Sequence, residues 1–388
     1  MLRRRRKRRK LRRRVAQRGE SMVFVSMSLR MRIDVEAANM VESAGNYSRH
    51  RIVPIITRVH NEDGSIEYQL SYLPGISGQA IGNAYTRALV DVSVKRGLSV
   101  CDDCKKYEYI GGFPKRPVIE EGPSGKSSDS SGSGSSGSEQ KQEDSVDKRV
   151  KECVIEDITG FMATKSGEGG RKGQSIRRTS AVMFSYMVPD TDTVRHSPPI
   201  PQFHVRYSSS KEEQKVFSIE SSSAIYRLLV AIDVDKIGRL TNGSYVDDRV
   251  ERVRAAFDAL VLMFQGYLFA KKARYLPQAE FLGGIVAVSD PYKFMVSPAK
   301  ARPVNGKLMP WYIIDTLERA RKFKASLSSE TSESSDKSMT LEIYYFDNEF
   351  NFETKAESQD ITATRVSNFE ELVKNVRDAV LKLIGGGQ

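Results

Sequence analysis

The residues with chemical potential in this chain are few and scattered. Cys101-Asp102-Asp103-Cys104 is a lone C-x-x-C pair. A structural zinc site takes four ligands, and Cys153, His50, His60, His196 and His204 are the remaining cysteine and the histidines. No second closely spaced pair accompanies the first, so unligated thiols are expected and no metal or other cofactor is assigned. His50 lies in Asn46-Tyr47-Ser48-Arg49-His50-Arg51, and His204 in Gln202-Phe203-His204-Val205-Arg206-Tyr207. Neither adjoins a nucleophile motif, an H-E-x-x-H or a phosphate-binding loop signature. Arginines and aromatics beside imidazole suit phosphate and base contact better than proton transfer. Catalysis finds no support here, and the chain is expected not to be an enzyme.

Three further stretches suit a polyanion. Gly167–Ser180 is glycine-rich and cationic, and Arg177, Arg178, Thr179 and Ser180 can meet phosphates. Just upstream, Gly160-Phe161-Met162 offers apolar side chains that could wedge beside a base. Lys271-Lys272-Ala273-Arg274 is a small basic patch, and Ser77-Gly78 opens a helix whose amides can face a phosphate.

The elements that must position these residues follow from periodicity. Val23 to Val35 is apolar at every odd position and, Phe24 apart, polar at the even ones. That pattern predicts a long strand with one wet face, carrying Arg30 and Arg32. Ile66–Leu73 reads as a strand after the Asp63-Gly64 turn. A helix is expected over residues 79–96, capped by Ser77 and stopped by Gly97. Strands are expected at Gln202–Arg206, Val216–Ile219, Ala224–Val234 and Phe281–Val288, with a helix near 248–265. A capping box at Ser367-Asn368-Phe369-Glu370 opens a last helix, which ends at Gly385. The order predicts an α+β fold compatible with a ferredoxin-like core.

Residues 120–147 and 326–338 are Ser/Gly/Lys/Glu-rich and cannot bury enough apolar area to offset their ordering entropy. Disordered insertions within one domain spanning 22–388 are therefore expected.

The chain has 388 residues and a formal net charge of +12. Twelve basic residues lie between Arg3 and Arg18, which leaves 49 basic and 49 acidic residues beyond them. A uniformly basic architecture is excluded. Residues 1–21 read as a basic disordered tail that seeks polyanions, unless translation starts at Met22 or Met27. No apolar run suits a membrane span or a secretory signal, and three cysteines suit a reducing compartment, so the cytoplasm is expected.

Taken in order, several segments resemble one family: 41–51, Leu73-Pro74-Gly75-Ile76-Ser77-Gly78-Gln79-Ala80 with Ala84-Tyr85, and Gly160-Phe161-Met162 with Arg177-Arg178-Thr179-Ser180. Gln202–Arg206 and Arg274-Tyr275-Leu276-Pro277 complete the set. They look like the backbone subunit of archaeal type I-A CRISPR Cascade complexes, the DevR-type autoregulator family, over about residues 27–298. The resemblance implies an RNA-recognition-like palm with inserted finger and thumb elements. It implies copies stacked head to tail along CRISPR guide RNA, beside other Cascade subunits, with target DNA read through the guide. RNA contact is then expected from Arg30, Arg32, Asn46, Arg49, His50, Arg51, Ser77, Gly78, Gln79, Phe161, Met162, Arg177, Arg178, Thr179, Ser180, His204, Arg206, Lys271, Lys272 and Arg274. The alternatives are a DNA-binding autoregulator, or an RNA endonuclease using Asp102 or Asp157.

Overall fold

The structure, a computed structural model, describes residues 22–38, 40–44, 47–61, 63–107, 145–165, 174–192, 198–206, 215–269, 276–328, 339–353 and 361–385. The basic tail lies outside them, as do most of both serine-rich segments. The edges of those segments are corrected: residues 145–147 and 326–328 are helical.

The strands run β1 (Phe24–Glu36), β2 (Met40–Ala44), β3 (Tyr47–His50), β4 (Ile52–His60) and β5 (Ile66–Pro74). Next come β6 (Phe161–Lys165), β7 (Gln174–Arg178), β8 (Val182–Phe184), β9 (Val188–Pro189), β10 (Ile200–Arg206) and β11 (Lys215–Asp233). Last are β12 (Gln278–Asp290), β13 (Arg302–Val304), β14 (Lys307–Met309), β15 (Thr340–Asp347) and β16 (Thr362–Arg365). The principal helices are α1 (Gly78–Lys95), α2 (Val154–Thr159), α3 (Arg249–Leu262), α4 (Trp311–Ser328) and α5 (Phe369–Leu383). The fold is α+β, built on one large mixed sheet.

Its central path is β16-β15-β12-β1-β11-β3-β2, with β8, β9 and β10 also paired to β11. β1 is antiparallel to both β11 and β12, while β11–β3 and β15–β16 are parallel. β4–β5 and β6–β7 stand apart as two-stranded ribbons.

Each face of the sheet carries a core. Met27, Leu29, Met31 and Ile33 of β1 pack with Tyr85 and Leu89 of α1, Phe257 and Leu260 of α3, and Leu372 and Val376 of α5. On the opposite face, Ile285 and Ala287 of β12 pack with Phe294, Val296 and the α4 residues Tyr312, Ile313 and Leu317. This second layer corrects the reading of β1 as half wet. Ser26, Ser28 and Arg30 are all buried, and Ser26 Oγ donates to the Phe294 carbonyl at 2.8 Å while accepting the Val296 amide at 3.1 Å. Only the far end of that face, at Arg32 and Asp34, reaches solvent.

Local signals behave as their chemistry requires. Ser77 caps α1 by accepting the Ala80 amide at 3.2 Å, and Gly97 follows the helix at φ +70°. At α5 the cap is Asn368, which accepts the Glu371 amide at 2.8 Å, and Glu371 reaches back to the Ser367 amide at 2.8 Å. The box thus closes one residue later than the sequence pattern suggests.

Candidate nucleic-acid interface

Within the cationic stretch before Ala181, the described residues Gln174–Arg178 form β7, antiparallel to β6; residues 166–173 lie outside the described residues. Gly160 ends α2 at φ +77°, and a Cβ there would press on the Arg178 carbonyl and lie 2.7 Å from the Ser180 amide nitrogen. Only glycine therefore lets β6 leave so close beside β7. Across the hairpin Phe161 faces Arg178, Met162 faces Arg177 and Ala163 faces Ile176. Directly opposed residues share a face of an antiparallel pair. Ala163 and Ile176 are buried, whereas Met162 is 64% exposed and Arg177 is exposed. An apolar prong and a guanidinium thus stand side by side in solvent. Phe161 is half-buried under the Arg149 guanidinium, 5.3 Å from its ring centroid.

Arg178 and Ser180 point the other way, a correction to their expected RNA contact. Arg178 donates to Asp157 Oδ1 at 2.5 Å and to the carbonyls of Asp157, Arg239 and Lys236 at 3.0, 3.0 and 2.6 Å. Asp157 is fully buried and also accepts from Arg252 at 3.0 Å and the Gly238 amide at 2.8 Å. Ser180 Oγ donates to the Val182 carbonyl at 2.5 Å and lies 3.2 Å from the Ile158 carbonyl. Thr179 stays exposed and accepts from the Lys236 ammonium.

Two more expected contacts are internal. Arg30 is fully buried between Asp190 and Glu349, the latter at 2.6 Å. Burial opposes its charge, yet these carboxylates hold the guanidinium above its ordinary pKa. His50 is buried with Nε2 2.6 Å from Glu36 and Nδ1 2.9 Å from its neighbour's carbonyl at Arg51. Burial pulls its pKa down, and the Glu36 contact outweighs that and raises it. Arg30 reads as a surface cation because its partners lie 160 and 319 positions away, whereas His50 is closed in by Glu36 only 14 positions upstream.

The α1 start is also closed to a ligand, because Ser77 is buried and a Cβ at Gly78 would sit 2.5 Å from the Phe184 carbonyl oxygen. Gln79 is exposed. Arg32, Arg49 and Arg51 are at or near the surface, with Arg32 already paired to Asp34 (3.3 Å) and Glu280 (3.2 Å) and Arg49 4.0 Å from Glu220. His204 is half-buried on β10, stacked on Phe217 at 5.1 Å, and Arg206 ends that strand opposite Lys215. Asn46, Lys271, Lys272 and Arg274 lie outside the described residues.

Sequence reasoning missed an apolar surface. In the β4–β5 ribbon Ile56 faces Leu70 and Ile52, Tyr68 and Tyr72 lie on the same side, all between 51% and 69% exposed. The signal was legible in the alternation of Tyr68, Leu70 and Tyr72, but not which side would lack cover. The C-x-x-C pair also gains a neighbour: Cys101, Cys104 and Cys153 bring their Sγ atoms within 4.8 Å of one another.

Residues 27–307 match the family described as CRISPR-associated negative auto-regulator DevR/Csa2. A Saccharolobus solfataricus relative, "CRISPR-associated protein Cas7/Csa2 1", is 33% identical over 297 residues, covering 74% of this chain and 83% of its own. A second from that organism, "CRISPR-associated aCascade subunit Cas7/Csa2 2", is 30% identical over 322 residues, covering 75% and 92%. One chain of a solved "CRISPR RNA-guided surveillance complex" is 10% identical with a TM-score of 0.42, over 92% of this chain and 99% of that one. The family match spans well over half of the chain and the two relatives agree with it, so the chain belongs to the DevR/Csa2 family of CRISPR-associated proteins.

Proposed function

We propose that this chain is a backbone subunit of a Cascade-type antiviral complex, one that binds CRISPR guide RNA and assembles head to tail in several copies. The observation that carries RNA binding is the Met162–Arg177 pair, a wedge and a phosphate-binding cation opposed on one exposed hairpin face. Such a pair grips backbone and base without reading sequence, as a guide-holding subunit must. Target DNA is then recognised through base pairing with the guide, and cleavage falls to a separate protein.

Assembly is supported by the uncovered Ile52, Ile56, Tyr68, Leu70 and Tyr72 face, an apolar patch of the sort that partners cover. Many modest contacts repeated along one RNA suit a body with 49 basic and 48 acidic residues beyond its tail. The pairing order β12-β1-β11-β8, antiparallel throughout with α1 and α3 packed together, supports a ferredoxin-like palm within a single composite domain over 22–388. Among the described residues no helix is long and apolar enough to cross a membrane, and the thiol usage favours the cytoplasm.

The test is purification with guide RNA supplied at low salt, followed by titration of the Met162→Ser and Arg177→Ala variants. Arg177→Ala should weaken binding and lower the salt slope by about one. Recovery of only nucleic-acid-free monomer would sink the proposal. A transcriptional regulator is the second reading, favoured by the words "negative auto-regulator" in the family's description. It requires a promoter footprint by the isolated chain.

A further inference from the structure

The three cysteines converge from two segments that the sequence keeps apart. Cys101 precedes a single helical turn, Asp102–Lys105, and Cys104 lies within it. A three-residue spacing around such a turn brings both sulfurs to one side. Cys153 arrives from the far end of the 105–152 stretch, immediately before α2. The two segments are fastened there by the backbone: the Val154 amide donates to the Ser99 carbonyl at 2.9 Å, and Ser99 Oγ donates to the Glu152 carbonyl at 2.6 Å. Cys104 and Cys153 are buried and Cys101 is half-exposed.

We propose that Cys101, Cys104 and Cys153 form a thiolate site for a soft divalent cation, zinc above all. Zinc–sulfur bonds of about 2.3 Å in a tetrahedron place sulfurs about 3.8 Å apart. The observed triangle, with every Sγ within 4.8 Å of the others, reaches that size by side-chain rotation of under about 1 Å per sulfur. Three thiolates also select a thiophilic metal over magnesium or calcium, which take oxygen donors. The half-exposed side at Cys101 leaves room for a water or a carboxylate as fourth ligand. Bound there, the ion clamps both ends of the 105–152 stretch, and through Cys153 it holds α2, whose Asp157 anchors the Arg177-bearing hairpin. The site is thus structural and independent of whether the hairpin grips RNA.

The experiment uses the full chain, purified under reductant, stripped with a chelator and then given zinc alone. One zinc per chain should survive gel filtration against a weak chelator, and zinc should protect three thiols from a thiol-reactive probe. Cobalt in place of zinc should show a thiolate-to-metal charge-transfer band. Cys101→Ser, at the exposed corner, should fold and bind zinc at least about tenfold more weakly. Failure to retain zinc with thiol reactivity unchanged would overturn the site. So would full-strength zinc binding by Cys101→Ser, or a disulfide among the three that reforms after reduction. The wild-type protection assay decides the matter even if the buried Cys153→Ser variant does not fold.

Discussion

Asp157→Ala separates an architectural carboxylate from a catalytic one. Asp157 accepts from Arg178 at 2.5 Å, from Arg252 at 3.0 Å and from the Gly238 amide at 2.8 Å, with no exposed surface. Truncation leaves two largely buried guanidiniums without their shared counter-charge, which costs about 3–5 kcal/mol when one partner of a buried pair is removed. Some compensation remains. Arg252 keeps Asp248 at 2.7 Å and the Val150 carbonyl at 2.6 Å, and Arg178 keeps three backbone carbonyls. The lower end of the range, about 3 kcal/mol, is therefore expected. With an unfolding entropy of about 2.1 cal/mol/K per residue over a body of roughly 300 residues, that loss lowers Tm by about 5 °C. Asp157→Asn keeps an acceptor oxygen and should lose less. Urea unfolding and thermal melts at fixed salt read both variants directly. A Tm for Asp157→Ala within a degree of wild type would refute the architectural reading, and loss of an RNA-cutting activity without loss of stability would restore the nuclease alternative.

The other predictions concern the buried histidine and the hairpin base. His50 has a raised pKa in the folded chain, so its pairing with Glu36 stabilises fully below the unfolded value of about 6.5 and is lost as pH rises through the folded value. Urea midpoints should fall as pH is raised above about 6.5, and His50→Gln should flatten that stretch of the profile. Parallel profiles for the two proteins would show that His50 is not the group responsible. Gly160→Ala should cost more than about 1 kcal/mol, since its φ of +77° and the Ser180 amide 2.7 Å from the new Cβ both oppose it. The same variant should retain less guide RNA per folded molecule, measured by filter binding; unchanged stability and retention would mean that β6 has another way out of α2.

Elements with a local signature were legible in the sequence. The β1 alternation, the Ser77 cap with Gly97 stop and the apolar stripe of α3 each depend on residues within one segment. What escaped depends on distant partners. Arg30 reads as a surface cation until Asp190 and Glu349, 160 and 319 positions away, close around it. Val216–Ile219 and Ala224–Val234 read as two strands because Glu220 to Ser223 breaks the apolar pattern. In the fold they are one strand, and the Glu220 carboxylate accepts from the Tyr47 hydroxyl at 2.6 Å and the His50 amide at 2.7 Å. The β6–β7 pairing was hidden by the glycine-rich run that separates the two strands in sequence. Of the candidates on β6 and β7, the fold leaves Met162 and Arg177 opposed and exposed, while Arg178 and Ser180 beside them in sequence serve the interior.

β11 has a mechanical consequence. Its 19 residues rise about 60 Å, with one half bonded to β1 and the other to β10. The outer half is therefore a cantilever continuous with the core sheet, branching from it beside the register shift between Ile33 and Glu36 of β1. Two residues inserted near Glu220 would lengthen that beam by about 7 Å without changing which side chains face outward, whereas one would invert them. The reach of the Phe203 and Val205 end from the buried sheet is thus a dimension of one strand rather than the slack of a tether.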